Sequence, residues 1–390
     1  MSRKRTPLAK LFAVAMFWAV AAIVGCARRT VQPGDPLPGL DKAQLDQFTR
    51  GRAVFQREFT PETGLGPIFN ANSCGECHEE PVLGGPGDEV EIHVAQLRPD
   101  GSCDTLDDRG GPVIQQEVTP ALKAALGIEA EPAPEGVTQA HRTTGDLFGF
   151  GLLDAVPDKE ILSCADPEDR DHDGISGRPN RTPDGLVGRF GRRAQVAHLK
   201  EFNAGAFLIE VGVTSPADPH ESTVGGQPLP DGVDTAADPE IAAAAVEDMD
   251  AFVRFLAPPQ PLPRDHDGRR GRKLFRKIGC AACHLPSLET GDSPVLALSH
   301  KKVAAYTDLL LHDMGPDLSD ICMGLAGPSE FRTEPLMGLR LMTQFLHDGR
   351  AKSIDEAIRL HAGEAEQARD VYRSLDERDR KALLAFLGSL

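Results

Sequence analysis

The chain contains the five-residue pattern Cys-x-x-Cys-His twice, and this pattern restricts its possible folds more than any other feature. The first pentad is Cys74-Gly75-Glu76-Cys77-His78 and the second is Cys280-Ala281-Ala282-Cys283-His284. In such a pentad the two thiols can add to the vinyl groups of a haem, and the adjacent histidine becomes the proximal iron ligand. We therefore expect two covalently bound haem c groups. The predicted attachment and proximal-ligand residues are Cys74, Cys77, His78, Cys280, Cys283 and His284.

Two other uses of paired cysteines fit these pentads less well. A zinc knuckle would need a further Cys or His pair at finger-like spacing, and neither pentad has one nearby. A thioredoxin-like redox pair has no need of a following histidine, which is present here both times. Because the whole chain holds only 8 Cys and 12 His, a chance origin for two such pentads is also improbable.

The first 26 residues have the pattern of an export signal. A basic start is followed by an apolar run from Leu11 to Val24, and about 14 apolar residues are too few to span a bilayer. The run ends in Ile23-Val24-Gly25-Cys26, which resembles the lipobox of bacterial lipoproteins. We expect residues 1–25 to be a lipoprotein signal peptide, Cys26 to carry the lipid, and 26–40 to be a tether. An ordinary signal peptide or an uncleaved anchor is the alternative.

These features predict a lipid-anchored protein on the periplasmic side of the cell envelope. Ala27, rather than an aspartate, follows the lipobox cysteine and favours the outer membrane. The formal net charge is −17, and residues 1–25 contribute four basic residues and no acid, so the mature chain is more acidic still. This charge argues against nucleic acid as a partner. It suits a basic redox-partner protein steered by charge, although a solvated acidic surface explains it equally well.

An internal repeat divides the mature chain. Gly51-Arg52-Ala53-Val54-Phe55 recurs as Gly271-Arg272-Lys273-Leu274-Phe275, each time ahead of a pentad. We predict an all-α fold with two cytochrome-c-like domains, residues 41–260 and 261–390, and long loop insertions. The final helix should cross the helix that precedes the second pentad, as in cytochromes c. Residues 90–97 alternate in polarity and predict one short strand, and 239–256 carry the apolar stripe of a helix.

The sixth ligand at each iron decides whether a haem carries electrons or can bind peroxide. Met314 lies in a polar turn and is the first candidate at the second haem. His312 and the remaining methionines are the alternatives. The first haem has no methionine nearby, and the candidates there are His93, His141 and His198. An open coordination position is the other interpretation.

Three further features are candidate functional groups. Asp154, in an apolar stretch, could exchange protons with peroxide, or it could cap a turn. Asp169, Asp171 and Asp173 alternate ahead of a glycine as in a calcium loop, although Asn180 stands where such a loop places glutamate. An acidic turn is the alternative to a Ca²⁺ site.

Three cysteines remain after haem and lipid attachment. In an exported chain cysteines favour pairing, and Cys103 with Cys164 would join two parts of the first half. Cys322 then has no obvious partner, and the sequence alone does not determine the connectivity.

Several segments resemble the bacterial di-haem oxidoreductases that are classed with the peroxidases and sometimes called thiol-oxidoreductase-like. The resemblance covers nearly the whole mature chain, and its C-terminal part is also similar to di-haem cytochrome c peroxidases. The segments are Phe69-Asn70-Ala71-Asn72-Ser73, Gly84-Gly85, Phe148-Gly149-Phe150-Gly151-Leu152-Leu153-Asp154-Ala155, Asp171-His172-Asp173-Gly174-Ile175-Ser176-Gly177-Arg178, Gly188-Arg189-Phe190-Gly191, Leu311-His312-Asp313-Met314-Gly315-Pro316, Arg332-Thr333-Glu334-Pro335-Leu336 and Phe345-Leu346-His347-Asp348-Gly349-Arg350-Ala351.

The resemblance implies one electron-accepting haem, one peroxide-reactive haem and often a calcium ion between two domains. The chain departs from the family at Arg192, Phe331 and Met337, where relatives commonly have tryptophan, and at Glu330, where a peroxidase has its distal methionine. We expect an exported di-haem oxidoreductase that reduces peroxide at the first haem with electrons delivered through the second. The alternatives are an electron carrier without catalysis and a peroxide-dependent oxidase of a partner protein.

Overall fold

The computed structural model describes residues 30–390, of which 33% are helical and 12% are in strands. The helices are α1 (Lys42–Phe55), α2 (Cys74–Cys77), α3 (Pro120–Leu126), α4 (Phe150–Asp154), α5 (Asp158–Leu162), α6 (Leu199–Val211), α7 (Ala243–Phe255), α8 (His266–Lys277), α9 (Ile354–Leu360), α10 (Glu366–Ser374) and α11 (Glu377–Leu387). The strands are β1 (Ile68–Phe69), β2 (Val90–Leu97), β3 (Cys103–Asp104), β4 (Val113–Ile114), β5 (Glu117–Val118), β6 (Thr138–Thr143), β7 (Leu288–Glu289), β8 (Lys302–Val303), β9 (Leu311–Asp313) and β10 (Glu330–Arg332).

The predicted signal peptide, its lipobox and Cys26 lie outside the described residues. Within residues 30–390, no helix combines the length and the apolar character needed to cross a membrane.

The all-α prediction is wrong, because the first half contains an antiparallel sheet. β2 is its longest strand and pairs with β3, β4 and β6. Val94 of β2 is buried and packs with Leu106 and Ile114 in a small core of its own. The predicted strand at 90–97 is therefore confirmed, but its partners come from segments interpreted as loops. Three two-stranded sheets, β1–β5, β7–β8 and β9–β10, add to the mixed α and β content.

Two similar helix crossings frame the two pentads. α1 packs along α7, and α8 packs along α11, so the final helix crosses the helix before the second pentad as expected. At both crossings a glycine lies at the closest approach. A Cβ atom on Gly51 would overlap the carbonyl oxygen of Asp248, and one on Gly271 would overlap that of Ala382. A glycine recurs in both repeated segments because the backbone of the crossing helix leaves no space for a side chain there.

The phenylalanine of each repeat links its crossing to the proximal histidine. Phe55 lies 6.1 Å from the His78 ring and 4.9 Å from the Phe252 ring, measured between centroids. Phe275 stands 6.4 Å from the His284 ring and 5.4 Å from the Phe386 ring. The chain therefore builds the same histidine support twice. Residues 31–390 form one compact unit, and the domain boundary at 260/261 stays a prediction.

A disulfide joins Cys103 of β3 to Cys322, 219 residues later, with the Cα atoms 5.7 Å apart. The expected pairing of Cys103 with Cys164 is wrong. Cys164 lies at the end of α5, where its thiol is free and donates to the carbonyl oxygen of Glu160. The sheet carries Cys103 to the C-terminal half instead, where it packs with Ile321 and Met323.

Candidate haem sites

The second pentad begins at the end of α8, where Gly279 takes a left-handed conformation and a 3₁₀ turn follows over Cys280–Ala282. The Nδ1 of His284 donates to the carbonyl oxygen of Tyr306 at 2.9 Å, which fixes the tautomer and leaves Nε2 as the lone-pair atom. Burial lowers the pKa of His284 to about 4. The ring is therefore neutral, as an iron ligand has to be.

A cavity of about 260 Å³ opens beside this pentad. Cys280, Cys283 and His284 line it, together with largely apolar side chains such as Phe275 and Leu336. The two thiols are free rather than joined to each other, and burial raises the pKa of Cys280 to about 12 and also raises that of Cys283. Buried protonated thiols in an apolar cavity suit thioether attachment of a haem better than a reactive redox pair.

The first pentad has the same local chemistry. Ser73 caps α2 by accepting from the N–H of Glu76. His78 places Nδ1 3.2 Å from the carbonyl oxygen of Gly85, and burial lowers its pKa. Burial also raises the pKa of Cys74 to about 12 and raises that of Cys77 further. The residues present therefore fit a covalently held haem here as well.

Two partly buried carboxyl groups lie next to the first pentad, and the sequence analysis missed both. Glu91 of β2 and Glu210 of α6 interact with each other, and their charges act on the Cys77 thiol. Burial and the charge of Glu91 raise the pKa of Glu210 well above its usual value. Burial opposes ionisation of Glu91, but its hydrogen bond with His93 and the charges of His93 and His78 lower its pKa overall. Of the two carboxyl groups, Glu210 is therefore the one that favours its protonated form.

The histidines predicted for the first haem do not converge on it. His93 directs Nε2 to the Glu91 carboxylate at 2.9 Å. His141 and His198 are exposed. The alternation of β2 places Glu91 and His93 on one face of the strand, and this is the signal that could have revealed Glu91.

Asp154 has a structural setting that differs from the predicted acid–base role. Its Oδ1 accepts from the backbone N–H of Leu199 at the start of α6, and its Oδ2 pairs with Arg254 at 2.5 Å. The two carboxylate oxygens of Asp154 thus bind the start of α6 and Arg254 of α7. The structure supports the capping interpretation instead, although the cap belongs to α6 rather than to the turn at Pro157.

The structure distinguishes His312 from the methionines among the sixth-ligand candidates at the second haem. Met314 lines the cavity, as do Met337 and Met342. His312 is held at both ring nitrogens, by Asp308 at 2.9 Å and Glu364 at 2.6 Å. Although burial opposes it, these hydrogen bonds and one with Cys283 raise the pKa of His312 to about 12. Because carboxylates engage both of its ring nitrogens, His312 presents no free nitrogen to the cavity.

His361, directly after α9, lines the same cavity and was not among the predicted residues. Its Nδ1 donates to the carbonyl oxygen of Ala357 at 2.7 Å. Burial lowers its pKa. Among the described residues its Nε2 has no hydrogen-bond partner.

The three aspartates of the predicted calcium loop come together. One carboxylate oxygen from each of Asp169, Asp171 and Asp173 lies within 4.8 Å of the others. Asn180 is not part of this group, because it is buried and its amide donates to the carbonyl oxygens of Arg193 and Met323. A Ca²⁺ ion here would depend on the three aspartates, backbone oxygens and water.

Glu330 has a structural role. Both of its carboxylate oxygens accept from Arg178, at 2.6 and 2.5 Å. The position where a peroxidase has its distal methionine thus holds an ion pair between two segments of this chain.

Residues 127–390 match the model of the family described as "Di-haem oxidoreductase, putative peroxidase". The matched part contains the second pentad, and the first pentad precedes it. No protein of curated function matches the chain in sequence.

The chain is also similar to solved structures. The diheme peroxidase BthA from Burkholderia thailandensis E264 is 15% identical, with 93% of this chain and 89% of that chain covered and a TM-score of 0.43. A MauG-like protein associated with microbial copper homeostasis is 16% identical, with 96% and 95% covered and a TM-score of 0.41. At these scores the likeness carries no argument about function.

Proposed function

Because the chain belongs to the family of di-haem oxidoreductases, we propose that it is an exported enzyme that reduces peroxide at the first pentad with electrons entering at the second. The observation that carries this proposal is the interacting, partly buried pair of Glu91 and Glu210 beside the first pentad. We propose further that the protein is lipid-anchored on the periplasmic side and exchanges electrons with a redox-partner protein.

The two pentads would hold the redox groups. Cys74 and Cys77 would bind one haem c with His78 as its proximal ligand, and Cys280, Cys283 and His284 would do the same for the other. When bound, the haems supply the one-electron redox chemistry that peroxide reduction needs. Buried neutral imidazoles with Nδ1 hydrogen-bonded to the main chain are suited to this role at both positions.

The carboxyl pair supplies the proton chemistry. Reductive cleavage of a peroxide needs a group that takes a proton from one oxygen and returns one to the departing oxygen. The ionised carboxylate of Glu91 can accept the first proton, and the protonated Glu210 can supply one.

A Glu91→Gln substitution tests the proposal. Purified protein with both haems attached is mixed with peroxide and a reduced small-molecule donor, and kcat is measured. Loss of general acid–base assistance should lower kcat by about 10² to 10⁴ while covalent haem content stays the same. Glu79→Gln is the matched control, since Glu79 is exposed beside the same pentad and its loss should leave kcat unchanged.

Three results would contradict the proposal. Equal kcat for Glu91→Gln and the wild type would show that the carboxyl pair takes no part in proton transfer to or from peroxide. Two low-spin, six-coordinate haems at every redox poise, with no peroxide turnover, would support an electron carrier instead. Turnover only in the presence of a protein substrate would indicate the peroxide-dependent oxidase.

A further inference from the structure

We propose that His361 supplies the sixth ligand to the iron held by the second pentad. The inference rests on the proposed function only for the presence of haem c at that pentad, and it does not need peroxide to be the oxidant. It replaces the expectation that Met314 occupies this position.

The first argument is the hydrogen bonding of the ring. Histidines that bind metals almost always donate their other ring N–H to a carboxylate, a main-chain carbonyl or water. His284 does so through Nδ1 to Tyr306, and His361 does so through Nδ1 to Ala357, at 2.9 and 2.7 Å. Both rings leave Nε2 without a hydrogen-bond partner among the described residues. His361 is therefore oriented as the proximal histidine is.

The second argument is location. His361 and His284 line one cavity. α9 holds His361 through the Ala357 carbonyl, one turn earlier in the chain. The imidazole is thus presented to the cavity by a helix end rather than by a long flexible side chain.

The third argument concerns the competitors. His312 is bound at both nitrogens, and His347 directs its Nε2 to Asp320 at 3.1 Å. Met314 is the main alternative ligand. Its neighbour Gly315 lies against Ala362 and Gly363, which directly follow His361, so Met314 lies on the same side of the cavity as His361. No hydrogen bond orients a thioether, whereas the imidazole of His361 has its orientation fixed.

Spectroscopy of the intact di-haem protein tests the assignment without an activity measurement. The ferric wild type should show one low-spin haem with two imidazole ligands and no methionine–iron charge-transfer band. His361→Ala should convert that one haem to high spin, and added imidazole should restore low spin. Met314→Ala is the matched variant and should leave the low-spin signal unchanged.

A His361→Met variant gives a second readout that does not depend on losing a ligand. It should acquire the methionine–iron band, and the reduction potential of that haem should rise, since methionine ligation favours the reduced iron. Haem content by pyridine haemochrome and the far-ultraviolet circular dichroism confirm that each variant has folded.

The proposal is overturned if His361→Ala keeps the low-spin signal or if Met314→Ala loses it. Failure of peroxide turnover with an intact bis-imidazole spectrum would refute the proposed function and leave this ligand assignment standing.

Discussion

Gly271 on α8 lies directly against the carbonyl oxygen of Ala382 on α11. There is no room for a side chain at this point, so the two helices could not cross at their present distance with any other residue. The same holds for Gly51 and Asp248 at the α1–α7 crossing. The repeat detected in the sequence is thus a repeat of close backbone contact.

We expect Gly271→Ala to destabilise the protein by about 3 kcal/mol or more, because a forced methyl group in a packed site costs about 1–3 kcal/mol and here it meets main chain. Denaturant unfolding of the haem-loaded protein measures the change. Gly205→Ala is the control, since the nearest atom to its added Cβ is Ile209 Cδ1 at 3.8 Å. That helical substitution should be neutral or stabilising by up to about 1 kcal/mol. Equal stability of the two variants would refute the close-contact account.

Asp320 is the centre of a buried ionic network, and its loss should cost about 3–5 kcal/mol. Its carboxylate binds Arg142 at 2.6 Å, Arg193, and His347 at 3.1 Å. Although burial opposes ionisation, hydrogen bonds from His347 and Arg142 hold the pKa of Asp320 well below its usual value. We predict this loss for Asp320→Asn at neutral pH. Asp46→Asn, which breaks the exposed pair with Lys42, should change stability by at most about 1 kcal/mol.

The same network predicts a pH dependence. Since the folded pKa of Asp320 is depressed, its stabilisation is present above the unfolded value of about 3.9 and is lost as pH falls toward the folded pKa. The free-energy difference between wild type and Asp320→Asn should therefore shrink below about pH 4. A difference that stays constant down to pH 2 would contradict the assignment.

The disulfide between Cys103 and Cys322 should contribute about 4–5 kcal/mol, because it closes a loop of more than 200 residues. Cys322→Ser should lose this stabilisation, and Cys164→Ser should not. Peptide mapping by mass spectrometry without reduction should find the Cys103 and Cys322 peptides linked. A link from Cys103 to Cys164 would restore the pairing expected from the sequence.

The group of Asp169, Asp171 and Asp173 should bind Ca²⁺. Added Ca²⁺ should raise the melting temperature of the wild type, and a chelator should reverse this rise. Asp171→Asn should abolish the shift, because removing one of three charged ligands weakens a small oxygen site strongly. Asp267→Asn is the control, as that aspartate belongs to a shorter acidic segment that begins α8. Calorimetric titration with Ca²⁺ measures the affinity of the wild type and of both variants. Equal binding by all three proteins would exclude the site.

Local signals in the sequence predicted the local structure well. The alternation at 90–97 marks β2, and the apolar stripe at 239–256 marks α7. Capping was only partly predictable. Ser353-Ile354-Asp355-Glu356 and Ser374-Leu375-Asp376-Glu377 both have the pattern of a capping box. Ser353 does cap α9, whereas α11 is capped by Asp376 instead of Ser374. A serine at the end of α10 and an aspartate two residues later offer competing hydrogen bonds, and packing decides between them.

Apart from the crossing of α8 and α11, the long-range contacts discussed above could not be predicted. Glu91 and Glu210 come from β2 and α6, which are far apart in the chain, and Asn70 binds Glu210 through both its backbone N–H and its side-chain amide. Cys103 meets Cys322 because the sheet carries it across the chain. His361 escaped notice because a single histidine beyond a short helix has no pattern of its own, and only the Ala357 carbonyl and the cavity distinguish it.

His78 and His284 pack against equivalent phenylalanines, so the surroundings of the two histidines can be compared directly within one chain. Phe55 and Phe275 hold equivalent positions, as expected if one ancestral unit was duplicated. Any divergence in behaviour between the two redox centres must then originate outside the shared helices. Exchanging the segments that follow the two pentads should consequently transplant reactivity from one centre to the other while the helices stay as they are.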